Sequence, residues 1–208
     1  MKSDEQLMEE CRGGGKPPRE AQREAFAELF RRHRQRIYGY FRRRITSPAR
    51  AEELAQEAFV AVLEATPRWE PRALFRTWLF GIAFNLCMAE RRRSANESAF
   101  APLASGDDPP AEHGAADPPA VANDPEDVLW VRAAIAQLDD DHREVLLLRE
   151  YEELSYDEIA EVTGVPVNTV RSRLFRARMS LKDLLNPEGM KPQMNPATSL
   201  RAGADRRR

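Results

Sequence analysis

From Ala21 onward, apolar residues recur at three- and four-residue spacing, the period of a helix with one buried face. In AFAELFRRHRQRIYGYFRRRI that face holds Phe26, Leu29, Phe30, His33, Ile37, Tyr40 and Phe41, and arginines fill the other side. Thr46-Ser47-Pro48 breaks the pattern, with Ser47 or Thr46 placed to cap the next helix. AEELAQEAFVAVLEA then puts Leu54, Ala58, Val62 and Ala65 on an inner stripe. Glu53, Gln56, Glu57, Val60 and Glu64 lie opposite, the usual layout of a solvated charged face. A loop, TPRWEP, leads into ALFRTWLFGIAFNLCMAERRRS, an aromatic-rich helix ending in Arg91-Arg92-Arg93. Phe75, Trp78, Leu79, Ile82, Ala83 and Leu86 can pack inward. Aromatics beside arginines suit stacking on unpaired bases over a basic track, and burial in a core suits them as well.

The second helical stretch starts at Val128. One helix should end near Leu138 and another run from about Asp141 to Tyr151, capped by Asp139 or Asp140. Residues 154–185 predict two more helices with a tight joint. Ser155 and Glu158 have the spacing of a capping box. Ile159, Ala160 and Val162 give a short apolar face. Gly164 falls where a helix must end on a left-handed residue, and Pro166 suits the first turn of the next, with Asn168 and Thr169 as further caps. In the last helix Val170, Leu174, Ala177 and Leu181 share a face. Asn168, Ser172, Phe175, Arg176 and Met179 lie opposite, flanked by Thr169, Arg171, Arg173 and Arg178. Arg can hold a guanine edge bidentately, and small polar neighbours can hold phosphates. That is a helix-turn-helix with its second helix as reader. A merely solvated Arg-rich helix is the plainer alternative.

The remaining segments read differently. Residues 1–20 contain Gly13-Gly14-Gly15 and Pro17-Pro18 and predict a mobile lead-in. Residues 94–127 are rich in Ala, Pro, Asp and Gly, with too few large apolar residues for a core, and predict a flexible acidic linker. It is either a plain spacer or an acidic strand imitating nucleic acid. Residues 186–208 predict a flexible basic tail. The expected fold is all-α: two small helical domains, 21–93 and 128–185, joined by the linker, the second a four-helix unit with the helix-turn-helix.

Composition sharpens this. Hydrophobic residues make up 42% of the 208 positions and charged residues 32%, enough for modest cores and not for one large one. The net charge of −2 hides a segregation. Residues 21–93 carry fifteen Lys/Arg against eight Asp/Glu, the linker none against eight, and residues 128–185 eight against eleven. In that last stretch most acids precede Gly164 and most bases follow it. No apolar run could span a bilayer, and MKSDEQLMEECRGGGKPP has no apolar core for a signal peptide, so a cytoplasmic protein is expected. Cys11 and Cys87 are unsuited to a structural disulfide there, and Cys87 reads as a small buried hydrophobe. His33, His113 and His142 lack ligand-like spacing, so no metal or other cofactor is expected.

Three motifs in order carry a family resemblance. ELAQEAF at 53–59 is similar to D-L-x-Q-E-x-F, with Glu53 for Asp. LFRTWLFGIAFN at 74–85 is similar to F-R-T-W-L-x-x-I-A-x-N. LSYDEIAEVTGVPVNTVRSRLFRAR at 154–178 matches the same group's C-terminal helix-turn-helix throughout. The chain resembles bacterial RNA polymerase sigma factors of the extracytoplasmic-function group. The resemblance implies a non-enzymatic specificity subunit that brings core polymerase to promoters. Glu53, Gln56 and Glu57 would meet the β′ clamp helices. Residues 66–72 and the helix after them would capture the −10 element, with Trp69, Arg76, Trp78, Asn85, Arg92 and Arg93 as candidate contacts. The second domain would meet the β flap and read the −35 element through Asn168, Thr169, Arg171, Ser172, Arg173, Phe175 and Arg176. The linker would thread the polymerase cleft, and an anti-sigma factor is a further partner of such proteins. The sequence departs from the pattern at Phe84, where the group has Arg, and at Ala89, where it has Asp, with Glu90 next. Both lie where −10 recognition is expected.

Two other classes compete. A free-standing helix-turn-helix regulator would need a dimer surface, because one short helix reads few base pairs, and no heptad seam is present. A metal-dependent nuclease on Glu52, Glu53 and Glu57 would need a further ligand at useful spacing, and none is there.

Overall fold

The computed structural model describes residues 2–12, 20–71, 73–100 and 125–186. These form eight α-helices and one short 3₁₀ turn, with no strand among the described residues. In order they are α1 (Asp4–Arg12), α2 (Glu20–Arg42), α3 (Pro48–Ala65), the 3₁₀ turn (Thr66–Arg68), α4 (Phe75–Phe100), α5 (Pro125–Ala136), α6 (Asp140–Glu150), α7 (Tyr156–Thr163) and α8 (Val167–Leu184).

The expected mobile lead-in holds a helix instead. Ser3 and Gln6 close a reciprocal cap: Gln6 N–H donates to Ser3 Oγ at 3.2 Å, and Ser3 N–H donates to Gln6 Oε1 at 2.8 Å. The motif S-x-x-Q stands in the sequence, so this helix had a signal that the polar composition masked. Leu7 and Met8 are buried in the main core, which is what fixes so short a helix. Residues 13–19 lie outside the described residues.

The break between α2 and α3 is held from both sides. Arg42 donates to the carbonyls of Ile45 and Thr46 at 3.1 and 3.2 Å, and Ser47 Oγ accepts from Arg50 N–H at 3.3 Å. The Thr66 hydroxyl donates to Val62 O at 2.7 Å and closes α3. Helix α4 does not stop at Arg93. It runs seven residues into the expected linker, and α5 starts three residues before the expected Val128. Residues 101–124 and 187–208, most of the expected linker and tail, lie outside the described residues.

Helices α1–α4 enclose Leu29, Ile37, Tyr40, Phe41, Leu54, Phe59, Phe75, Leu79 and Phe80. That core is continuous with the inner side of the second domain, through Leu148, Leu154, Ile159 and Leu174. A smaller cluster of Leu138, Leu146 and Ala177 holds α5, α6 and α8 together at the far end. Helix α7 lies along α4, so the two domains are docked. Cys87 is fully buried and unpaired, as a small hydrophobe should be, and burial pushes its thiol up to about 11.

Candidate nucleic-acid and polymerase interfaces

The helix-turn-helix is built as its sequence dictates. Ser155 and Glu158 form the complete capping box at the start of α7. Gly164 ends α7 at φ 70°, ψ 20°, and its N–H donates to Ala160 O at 2.9 Å. A Cβ at Gly164 would meet open space, so glycine is needed there for its conformation and not for room. Pro166 is the N-cap of α8 and no side chain caps that end. Asn168 and Thr169, expected as further caps, do not cap: Asn168 Oδ1 accepts from Arg171 at 3.3 Å instead.

On α8, Val170, Leu174 and Ala177 are buried, which turns the opposite face outward. Asn168, Arg171, Ser172, Phe175 and Arg176 are exposed there, Phe175 by 66%. Thr169 is half-buried and offers its carbonyl to the Ser172 hydroxyl at 2.9 Å. Arg173 is paired with Asp141 of α6, and Arg178 with Glu150 at 2.8 Å. The flanking arginines thus brace α8 against α6, while the centre of the face stays open.

On α3, Glu53, Gln56 and Glu57 are exposed on one side. Arg50 lies among them, a residue that the sequence motifs do not single out. Its Nη1 donates to Glu53 and Glu57, both at 2.9 Å, and its Nη2 to Glu90 of α4 at 2.9 Å. Val60 and Leu63, each more than half exposed, continue the same surface as an apolar extension. Hydrogen bonds from Arg50 and Arg93 hold the Glu90 carboxyl below its ordinary range. Glu90 is buried by this network between α3 and α4, so it does not replace on the surface the acid that Ala89 lacks.

The −10 candidates scatter. Trp69 is only 4% exposed and sits in the core, so its ring offers no face to a base in this conformation. Phe75 is fully buried, edge-on to His33 at 5.3 Å. Trp78 is half-buried, 6.1 Å from the Phe75 ring. Asn85 and Arg92 are exposed, and Arg93 donates to Glu90 at 2.7 Å. Arg76 is turned toward the second domain. It donates to Glu158 at 3.0 Å, and the Thr77 hydroxyl donates to the same carboxylate oxygen at 2.7 Å. Burial pushes the Glu158 carboxyl up, but the Ser155 backbone N–H, the Thr77 hydroxyl and Arg76 overcome it and hold it at about 2. Arg72 lies outside the described residues.

Two regions of the chain match known families. Residues 29–97 match the model of Sigma-70 region 2, and residues 129–181 that of Sigma-70, region 4. The RNA polymerase sigma-H factor of Pseudomonas aeruginosa is 34% identical over 194 residues, covering 90% of this chain and 96% of that protein. The ECF RNA polymerase sigma-E factor of Haemophilus influenzae is 30% identical over 192 residues, covering 89% and 96%. The fold is similar to that of CnrH, solved in complex with the cytosolic domain of CnrY, with a TM-score of 0.61 at 24% identity over 88% of this chain and 97% of that one. The chain belongs to the sigma-70 family of RNA polymerase sigma factors, in its extracytoplasmic-function group. It is a polymerase-binding factor that directs initiation at specific promoters. Among the described residues no helix is long and apolar enough to cross a membrane.

Proposed function

We propose that α8 reads the −35 element in the major groove. Asn168, Arg171, Ser172, Phe175 and Arg176 form the reading surface, with Thr169 and Arg173 at its border. Their shared exposure on one face of α8 carries this reading. The −10 element is taken by the start of α4 through Arg76 and Trp78, and by Asn85, Arg92 and Arg93 along its length. Trp69 supports the loop from below and does not stack on a base. Glu53, Gln56 and Glu57, extended by Val60 and Leu63, meet the β′ clamp helices, and the second domain meets the β flap. The factor works in the cytoplasm, catalyses nothing and needs no cofactor. Glu53 and Glu57 are engaged by Arg50, which is a poor arrangement for holding a metal. An anti-sigma factor has a ready apolar foothold in exposed Phe175 and Met179.

The test is co-elution of the purified protein with bacterial core RNA polymerase, then run-off transcription on a genomic promoter pool. Association with new promoter-specific transcripts is expected, and the transcripts reveal both promoter elements. Specific DNA binding without core association would replace this reading with a free-standing regulator.

A further inference from the structure

Helix α4 begins on a residue unsuited to the place. Leu74 stands at its N-cap: Phe75 is the first helical residue, and the Leu74 carbonyl accepts from Trp78 N–H at 3.1 Å. That position favours Ser, Thr, Asp and Asn, whose side chains accept from the free N–H groups of the first turn, and leucine is among the poorest choices. Ser47, Asp139 and Ser155 cap α3, α6 and α7 with their own side chains. At α4 the acceptor comes from another element, since the Phe75 N–H donates to Glu5 of α1 at 3.2 Å. Burial does not account for Leu74 either. It is 54% exposed, so its side chain gains little by packing.

Its place around the helix gives a reason. Phe75, Leu79, Ala83 and Cys87 are buried and mark the core side of α4. At about 100° per residue, Leu74, Trp78, Asn85 and Arg92 fall within about 40° of one another on the other side. Trp78 is half-buried there, and Asn85 and Arg92 are exposed. These three are residues proposed above to take the −10 element. Leu74 heads their row, one turn before Trp78, and is its aliphatic member. Opening a duplex requires that a base step be unstacked. An apolar side chain pressed between the parted bases offsets part of that loss, which is how Leu, Ile, Met and Phe act as wedges on DNA. The aromatic and polar residues behind such a wedge are placed to hold the strand it frees.

We propose that Leu74 is an apolar wedge that parts a base step at the edge of the −10 element, before Trp78, Asn85 and Arg92 take the unpaired strand. The N-cap position is free for a leucine because Glu5 supplies an acceptor from α1. This rests on the assignment of α4 to the −10 element and deepens it. The motif that carries the family resemblance does not single out this residue, since the shared pattern begins at Phe75.

The experiment uses the full chain with bacterial core RNA polymerase and the strongest promoter from the run-off pool. Two templates are compared, the duplex and the same promoter already unpaired across the −10 element by mismatches. Opening of the duplex is read by permanganate reactivity of its −10 thymines, and output by run-off transcription on both templates. Leu74→Ala should lower opening and run-off about tenfold on the duplex, with output from the mismatched template within about twofold of wild type. Leu74→Met, which keeps an apolar side chain of similar volume, should retain duplex opening within about twofold. Leu74→Ser separates function from folding. Its hydroxyl supplies a local cap, so the melting temperature should rise by about 2–4 °C while duplex opening falls as in Leu74→Ala. Undiminished opening by Leu74→Ser, or an equal loss on both templates, would overturn the wedge. Asn85→Ala tests the underlying assignment and should lower run-off from both templates. If Asn85→Ala acts and the Leu74 variants do not, the inference falls alone. If neither acts, the −10 assignment of α4 falls with it.

Discussion

The two domains use their arginines differently. On α8, Arg171 and Arg176 face solvent, while Arg173 and Arg178 brace the helix against α6. On the first domain, Arg36, Arg43, Arg44 and Arg76 meet carboxylates of the other domain. The acids divide the same way. Glu53 and Glu57 are exposed on α3, paired with Arg50 of their own helix, whereas Glu144 and Glu152 are buried against arginines of the other domain. The residue types are alike, so composition did not set these states. A run of charge states that a face exists. Whether the face is free depends on what the fold brings against it.

The contrast between exposed and buried charge is tested hardest at the exposed acids. Glu53→Lys with Glu57→Lys places like charge against a surface chosen for acids, a cost of several kcal/mol at an interface. Core polymerase affinity should fall roughly hundredfold, with the circular dichroism spectrum unchanged. Undiminished affinity would remove the α3 stripe from the interface. At the open bases, Arg176→Ala should cost about 1–3 kcal/mol of base discrimination, or roughly tenfold to hundredfold in −35-dependent transcription. Core binding should be unaffected, and an equal loss of both would point to misfolding.

The contact between the domains should respond to acid. A carboxyl at about 2 in the folded chain, against an ordinary 4.5, contributes stability that is present above pH 4.5 and lost as pH falls toward 2. In denaturant unfolding, wild type should lose stability over that window more steeply than Glu158→Gln. Parallel slopes would show that Glu158 is not held as described. The smallest effect is expected at Glu153, which comes after the buried Glu152 at φ 54°. That left-handed conformation is unfavourable for a residue with a side chain and open to glycine. Glu153→Gly should raise stability by up to about 1 kcal/mol after the entropic cost of glycine. A loss would mean that its exposed pairing with Arg36 outweighs the strain.

Much of this was legible in the chain itself, because the signals were local. The joint at Gly164 and Pro166 depends on backbone preferences of single residues. The open face of α8 comes from the period of Val170, Leu174 and Ala177, which fixes the side that must be buried. The cap at Ser3 and Gln6 was equally local, and the neighbouring glycine run obscured it. Other features had no local signal. Trp69 and Trp78 look alike as aromatics near arginines, yet one is enclosed and the other half-exposed, because burial depends on how α1 and the 3₁₀ turn close over the core.

The helices, most of their caps, the two-part organisation and the family are all written in the order of residues. The helices and caps rest on spacings of a few residues, where backbone geometry leaves few choices; the division rests on the composition of residues 94–127, and the family on the resemblance of three motifs. Which charges are free was settled by packing alone. Arg44 meets Glu144 and Arg76 meets Glu158 across separations of 100 and 82 residues. Nothing in either segment marks its partner, since a carboxylate accepts any guanidinium that packing delivers.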